Sequence, residues 1–154
     1  MLIKILIAGG LVVLTVAMHA VGLDVLLRAM MQSRALDRTG FRPVTGMVIA
    51  LTCWLILVHL AEISVWGLFY FWRGCLPSFV DALYFSGTTY TTAGNGDLVL
   101  PKPWRMLAPL ETLTGILMCG LSTGLFFAVV SRWISNWMQR RTALEPHSIE
   151  KEKH

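Results

Sequence analysis

Ionisable residues are few in the long apolar stretches of this sequence, and two of them are spaced for joint chemistry. His59 and Glu62 lie three positions apart, so they would share one face of a helix. An ionisable residue within a membrane-length apolar run indicates function by default. The pair could bind a metal ion or sense protons, or it could be a hydrogen-bonded pair that anchors one helix to another. Two ligands do not make a metal site, so the sequence favours the anchoring role.

Two other ionisable residues in apolar runs stand apart from this pair. His19 is expected to be a lone histidine, either satisfied within the protein or placed at an interface. Glu111 is expected to pair with Arg105, the nearest cation along the chain. A membrane enzyme that uses His59 and Glu62 with a metal would need a third ligand, and no motif supplies one. The sequence therefore predicts no enzymatic activity.

Residues 91–97 read TTAGNGD and carry glycines at alternate positions. This pattern indicates that backbone carbonyl groups, and not side chains, could bind a ligand here. Glycine reaches backbone angles that are closed to residues with side chains. Successive carbonyls can then face one axis, and rings of carbonyls can replace the hydration shell of an ion. One chain supplies one such loop, so a closed ring needs several copies.

Three long apolar runs would position these residues. They cover residues 2–23, 44–72 and 106–133, and about 20 apolar residues cross the hydrocarbon core as a helix. The first run is longer than the apolar core of a signal peptide and lacks a clear cleavage site, which favours a retained helix over a cleaved signal. With 55% hydrophobic and 14% charged residues, the composition excludes a soluble enzyme, a disordered chain and a nucleic-acid binder.

The segment between the second and third runs is not an ordinary polar loop. Ser78 followed by Asp81 is an acidic variant of the capping box, which predicts a short helix beginning near residue 78. This helix is mostly apolar, too short to span, and followed by the glycine-containing stretch. Irregular backbone at membrane depth is tolerated only when it is buried in protein or lines a watery cavity. The pattern therefore indicates a re-entrant segment.

Residues 91–97 resemble the selectivity filter of the tetrameric potassium-channel family, whose usual form is TTVGYGD. The paired threonines, both glycines and Asp97 match, and residues 81–86 resemble the pore helix of that family. The resemblance covers about residues 44–133 and is narrower still to a group of small bacterial pore-domain channels. The residues that carry this narrower resemblance are His59, Glu62, Trp66, Tyr84, Phe85, Ser86, Trp104, Arg105, Glu111 and Gly115.

This resemblance implies an all-α membrane protein, assembled as a homotetramer, that passes potassium ions without a cofactor. The implied ligands are the carbonyls of Thr92, Ala93, Gly94 and Asn95, together with the Thr92 hydroxyl, with Gly96 completing the filter. Thr88, Thr91, Asp97 and Trp104 would support the filter and its outer mouth. Asp97 is expected to accept a bond from the Trp104 indole, and it could also attract cations at the mouth. Thr88 stands where some members of the family place a glutamate.

Two residues depart from the family pattern. Asn95 replaces the aromatic ring that braces the filter, and Ala93 replaces a larger aliphatic side chain. Tyr84, Phe85 or Tyr90 could refill the space and preserve potassium selectivity. Alternatively, the outer ion sites are wider, and the pore also passes sodium or is weakly selective. The Asn95 amide could bond the pore helix or face the mouth. A non-conducting structural or regulatory subunit is the alternative from another class.

The third run carries glycines that could act in gating or in packing. Gly115 and Gly120 could be gating hinges, or small residues that let helices approach closely. No run carries regularly spaced arginines, so no voltage sensor is predicted. Cys75 lies just before the short helix, where it could be a free thiol or form an intersubunit disulfide, whereas Cys53 and Cys119 are expected to pack within spans.

These patterns divide the chain into four parts and orient it. The parts are an N-terminal membrane helix (1–31), a cytoplasmic basic linker (32–43), a pore domain (44–137) and a polar cytoplasmic tail (138–154), which is expected to be disordered from residue 142. The pore domain comprises an outer helix (44–72), a pore helix (78–91), the filter (91–97) and an inner helix (106–134). The positive-inside rule places the N-terminus outside and the C-terminus in the cytoplasm of a bacterial inner membrane. The cations that set this orientation are Arg34, Arg38, Arg42, Arg132, Arg140 and Arg141 on the cytoplasmic side.

Overall fold

A computed structural model describes the backbone of residues 2–32 and 41–151 and the side chains of residues 2–32 and 45–139. Most of the predicted basic linker, with Arg34 and Arg38, lies outside the described residues. So do Met1, the last three residues of the tail, and the side chains of Arg42, Arg140 and Arg141.

The described chain is helical, and three of its helices are long and apolar enough to cross a membrane. This finding confirms the predicted all-α class with three long apolar helices. A short 3-10 turn at Lys102–Trp104 precedes the last helix. The α-helices are α1 (Leu2–Gln32), α2 (Phe41–Trp72), α3 (Phe79–Tyr90) and α4 (Leu107–Lys151).

The last helix extends well beyond its predicted end at residue 134. α4 continues to Lys151, so residues 142–151 are helical where disorder was predicted. The polar composition of this segment does not prevent helix formation. Gln139, Arg140, Ala143 and Leu144 are all good helix formers.

Helix α1 lies antiparallel to α2. The indole nitrogen of Trp66 donates to the Thr15 hydroxyl over 2.9 Å, and that of Trp54 donates to the Gly22 carbonyl over 2.9 Å. The order of the contacts is reversed between the two helices, as antiparallel packing requires. α1 therefore packs along α2.

The connection from α2 to α3 is fixed by two local signals. At the end of α2, Gly74 takes a φ of 63°, its N–H donates to the Phe71 carbonyl, and the Cys75 N–H donates to the Tyr70 carbonyl. These two bonds form a Schellman motif, which needs a residue that tolerates positive φ. Ser78 then caps α3, as predicted, by accepting from the Asp81 N–H over 3.0 Å.

Helix α3 packs tightly against the second half of α2. A Cβ atom on Gly67 would lie 3.1 Å from the Leu83 Cα, so any side chain here would push the two helices slightly apart. Trp66, Tyr70 and Phe85 are buried beside this contact. The close packing holds the C-terminal end of α3, from which the TTAGNGD stretch begins, at a defined position.

Candidate functional site

The backbone of the TTAGNGD stretch alternates in handedness. Positive φ values occur at Thr92 (65°), Gly94 (52°) and Gly96 (77°), which are every second residue. The two glycines take this conformation without a steric penalty. Thr92 is β-branched, and a non-glycine residue in this region costs on the order of 1–3 kcal/mol. The surrounding structure must therefore enforce the conformation of Thr92.

Hydrogen bonds from the start of the stretch to the end of α3 supply this constraint. The Thr92 N–H donates to the Thr89 carbonyl over 3.1 Å, and the Gly94 N–H donates to the Thr88 carbonyl over 3.0 Å. The Thr91 hydroxyl also donates to the Gly87 carbonyl over 2.7 Å. The last carbonyls of α3, which have no partner within the helix, thus hold the stretch in place.

The hydrogen bonds that hold the stretch use its N–H and hydroxyl groups and not its carbonyl oxygens. Within the described part of the chain, no hydrogen bond reaches the carbonyls of Thr92, Ala93, Gly94 or Asn95. Residues 91–97 are all exposed on the single chain. Four consecutive carbonyls are therefore available to ligands from outside the chain.

The Asn95 side chain is hydrogen-bonded to a residue of α3. Its Nδ2 donates to the Tyr84 hydroxyl over 2.6 Å. Of the aromatic residues expected to refill the space, Tyr84 contacts Asn95, whereas Tyr90 is buried and faces α2. A cavity of about 290 Å³ remains between the stretch, α3 and the start of α4, and its lining includes Phe85, Asn95 and Thr112.

Asp97 and Trp104 do not form the predicted hydrogen bond. The Trp104 ring packs edge-on against Phe69, and the Arg73 guanidinium lies 4.9 Å from the Trp104 ring centroid. The Lys4 amine from α1 also lies over this ring. Asp97 is exposed at the end of the stretch, and none of the described side chains bonds it. Spacing along the chain does not show that the Trp104 indole packs against side chains of α1 and the end of α2.

Glu62 belongs to a ring of five side chains from all four helices. One carboxylate oxygen accepts from the Tyr90 hydroxyl, and the other lies 2.9 Å from His19 Nδ1. His59 Nδ1 lies 3.0 Å from the Tyr90 hydroxyl oxygen. The Ser122 hydroxyl closes the ring, at 3.1 Å from His59 Nε2 and 3.3 Å from His19 Nε2. We call these residues the four-helix ring.

The four-helix ring supports the anchoring role of Glu62 and corrects the expectation for His19. Glu62 joins α2 to α3 through Tyr90, as the anchoring interpretation requires. His19 is not a lone histidine, because it is 1% exposed and bonded to Glu62. A sequence separation of 43 residues between them leaves no local signal.

The four-helix ring satisfies the buried polar atoms of its members. Its five hydrogen bonds join all five side chains, and among the described residues no buried side-chain nitrogen or oxygen lacks a partner. Burying polar side chains is costly only where they are left without partners.

Glu111 is also buried, but its partners are not the predicted ones. It accepts from the Tyr70 hydroxyl over 2.7 Å and contacts the Ser86 hydroxyl at 2.5 Å. Arg105 instead donates to the Leu100 carbonyl over 3.2 Å. The prediction of an Arg105 partner is therefore wrong, because a buried carboxyl here is satisfied by neutral hydroxyls from α2 and α3.

The two candidate hinge glycines have different surroundings. Gly115 lies against the carbonyl and ring of Tyr90, so a Cβ atom there would collide with the end of α3. Gly120 has nothing within 4 Å of where its Cβ would be. Gly115 therefore serves close packing, and Gly120 is free of that constraint within the described chain.

Cys75 is buried, whereas Cys53 and Cys119, predicted to pack within spans, are exposed on the single chain. Cys75 is 7% exposed and packs with Trp66, Tyr70 and Leu76. All three thiols are free, and burial raises the pKa of the Cys75 thiol. An intersubunit disulfide at Cys75 would require this packing to open.

We therefore expect Cys75 to react slowly with maleimide in the Cys53→Ser/Cys119→Ser variant. The thiolate is the reactive form, and a raised pKa leaves less of it at neutral pH. Its rate should keep rising above about pH 9, where an ordinary thiol with a pKa near 8.5 levels off. The same protein unfolded in detergent serves as the control and should react at the ordinary rate. Equal rates in the two states would contradict the buried position.

The fold and the site together define an all-helical, multi-pass membrane protein with an exposed run of backbone carbonyls between two long helices. A family model described as "Ion channel" matches residues 47–132, which is more than half of the 154 residues. The chain belongs to this ion channel family and is a transporter rather than an enzyme. The match runs from α2 into α4 and leaves α1 outside. The comparisons with curated proteins and with solved structures found no match.

Proposed function

We propose that the chain forms a homotetrameric channel that passively conducts monovalent cations, potassium most readily. The observation that carries the proposal is the run of four carbonyls at residues 92–95 that accept no hydrogen bond within the described chain. Carbonyl oxygens in a ring can replace the hydration shell of a cation. The Thr92 hydroxyl would add a further oxygen at the inner end, and Gly96 would complete the filter.

The exposure of residues 91–97 supports assembly around a common axis. One chain offers one loop, and the surface of this loop is open to neighbouring copies. Closed assemblies of identical chains have cyclic symmetry. The resemblance to the tetrameric family makes four the expected number of copies.

Local electrostatics also favour a cation at this position. The C-terminal end of α3, at Tyr90, leads directly into the filter stretch. A helix C-terminus carries a partial negative charge of about half an elementary charge. Asp97 places a carboxylate at the opposite end of the stretch, where a ring of copies would concentrate cations at the mouth. Both features are repulsive to anions.

A weakly selective sodium and potassium channel is the second candidate. The cavity of about 290 Å³ beside Asn95 favours it, because an unfilled space allows the carbonyl cage to widen. The bond from Asn95 to Tyr84 favours potassium selectivity, because it braces the loop against α3 in place of the missing aromatic ring. The reversal potential under a potassium/sodium gradient distinguishes these two candidates.

Packing indicates the hinge position in α4, and the distribution of charges indicates the orientation in the membrane. Gly120 is the better hinge candidate in α4, because Gly115 is held against Tyr90. With three crossings, the N-terminus lies outside and the C-terminus in the cytoplasm of the inner membrane. Arg132 at the inner end of the third span agrees with this orientation, and Lys4, Arg73, Lys102 and Arg105 lie towards the outer side.

The proposal is tested by the reversal potential of the purified protein in planar bilayers under a potassium/sodium gradient. A value near the potassium equilibrium potential supports the selective channel. A value near zero supports the weakly selective one. An assembly shown to be tetrameric that passes no current under any gradient would contradict conduction and favour a structural subunit.

Two substitutions separate the contributions of the filter to selectivity. Asn95→Tyr restores the aromatic brace and should shift the reversal potential towards the potassium value if the wild type is weakly selective. Tyr84→Phe removes only the hydroxyl that Asn95 bonds, and we expect it to lower the potassium preference. Asn136→Tyr, in α4 outside the filter, is the control and should leave the reversal potential unchanged. If neither Asn95→Tyr nor Tyr84→Phe changes the reversal potential, these carbonyls do not form the selectivity filter.

A further inference from the structure

The four-helix ring contains three side chains of types that bind metal ions, and they lie close together. His19, His59 and Glu62 each offer a ligand atom, and these atoms all lie within 4.8 Å of one another. We propose that they form a binding site for a divalent transition metal of the Zn²⁺ class. Two imidazoles and one carboxylate are a ligand set that Zn²⁺ uses in proteins. The third ligand that the sequence did not supply is thus contributed by α1.

The spacing of the ligand atoms is close to what the ion requires. The Glu62 carboxylate lies 2.9 Å from His19 Nδ1 and 3.4 Å from His59 Nδ1. Tetrahedral ligands with bonds of about 2.0–2.2 Å to Zn²⁺ lie roughly 3.4 Å apart. The remaining pair, one atom from each histidine, lies within 4.8 Å, so the two rings have to approach each other when the ion binds. The Tyr90 hydroxyl contacts both Glu62 and His59 and therefore lies beside the three ligands.

Ser122 supplies the partner that metal-bound histidines need. Its hydroxyl oxygen lies 3.3 Å from His19 Nε2 and 3.1 Å from His59 Nε2. When both Nδ1 atoms bind a metal, both imidazole protons reside on Nε2, and the two lone pairs of Ser122 can accept them. Histidine ligands usually donate their second N–H in this way, which fixes the tautomer and the ring orientation.

Helix packing holds the ligands at this level and leaves a way in. The backbone of Gly22 approaches Val58 so closely that a Cβ atom would lie 2.7 Å from a Val58 methyl group. Gly22 lies three residues after His19 and Val58 directly precedes His59, so this contact keeps α1 against α2 at the level of the ligands. The His59 side chain is 18% exposed, whereas His19 and Glu62 are buried, so an ion would enter past His59.

The inference does not rest on the proposed function, because metal binding is measured without current. It assigns α1, which lies outside the family match, a role of its own. A metal held between His19 and the α2 ligands would clamp α1 to the pore domain. Tyr90, which directly precedes the filter stretch, would be held by the same ion.

The test is metal binding to the full-length chain, purified in detergent without a histidine tag. His147→Gln and His154→Gln are introduced throughout, so that the tail histidines do not contribute. After treatment with a chelator and then Zn²⁺, elemental analysis should find one Zn²⁺ per chain. His19→Gln and Glu62→Gln should each weaken binding at least about 100-fold. Ser122→Ala should weaken binding about 10- to 100-fold, as loss of a partner to a ligand does.

Ser64→Ala, an exposed change on α2, is the matched control and should bind as the parent does. Co²⁺ in the parent chain gives a readout that survives any folding defect of the variants. A tetrahedral visible spectrum without a thiolate charge-transfer band supports the His and Glu ligands. A thiolate band would instead assign the metal to a cysteine and overturn the inference. So would less than one Zn²⁺ per chain, or binding that His19→Gln leaves unchanged.

Discussion

Gly115→Ala is expected to destabilise the assembled protein and to abolish conduction. A methyl group at this position would collide with the Tyr90 carbonyl and ring, at the point where α3 ends and the filter stretch begins. Overpacking in a filled interior costs typically about 1–3 kcal/mol, and a rigid backbone neighbour favours the upper end of that range. The apparent melting temperature and the current in liposomes measure the two effects.

Gly120→Ala is the matched control for this prediction. It makes the same chemical change five residues further along α4, where nothing lies within 4 Å of the added methyl group. The melting temperature of this variant should equal or exceed that of the parent, since alanine favours helix over glycine by about 1 kcal/mol. Equal melting temperatures in Gly115→Ala and Gly120→Ala would contradict the packing of α4 against Tyr90.

Glu111→Ala is expected to be the second strongly destabilising substitution. The Tyr70 hydroxyl would lose its acceptor and the Ser86 hydroxyl one of its two oxygen neighbours, in a place that water does not reach. A buried polar group left without a partner costs about 1–3 kcal/mol. The contacts among α2, α3 and α4 should loosen together, which thermal unfolding in detergent would detect.

Glu111→Gln should restore most of the stability lost in Glu111→Ala. The amide oxygen can accept from Tyr70, and the amide N–H can donate to Ser86. Ser86 remains free to donate to the Ile63 carbonyl, which it already contacts at 2.8 Å. A glutamine variant as unstable as the alanine variant would show that the position needs a negative charge rather than hydrogen-bonding atoms.

Sequence patterns were sufficient for the helical architecture and for the irregular TTAGNGD stretch that follows α3. Three apolar runs predict three membrane-length helices, because length and hydropathy alone determine whether a helix can cross a bilayer. Ser78 and Asp81 predict the start of α3, because a capping bond is made within four residues of the chain. Alternate glycines agree with the positive φ of residues 94 and 96, because glycine takes this conformation without a steric penalty.

The same reasoning failed for partners that come from other helices. Distance along the chain predicted Arg105 as the partner of Glu111 and Trp104 as the partner of Asp97. In the structure, Glu111 bonds Tyr70 and Ser86, and Trp104 packs against Phe69 and Arg73. The rotation of each helix about its axis selects these contacts, and an almost uniformly apolar helix carries little periodic signal for its rotation.

The sequence by itself thus determined what local chemistry and bilayer thickness dictate: the helices, their caps, and a loop whose glycines free its carbonyls. Only the tertiary structure decided how buried polar groups are satisfied. His19 and Glu62 are 43 residues apart in the chain and 2.9 Å apart in space. Ser122 completes their ring from a third helix. Burial at membrane depth requires every polar atom to find a partner, and only packing in three dimensions determines which one it finds.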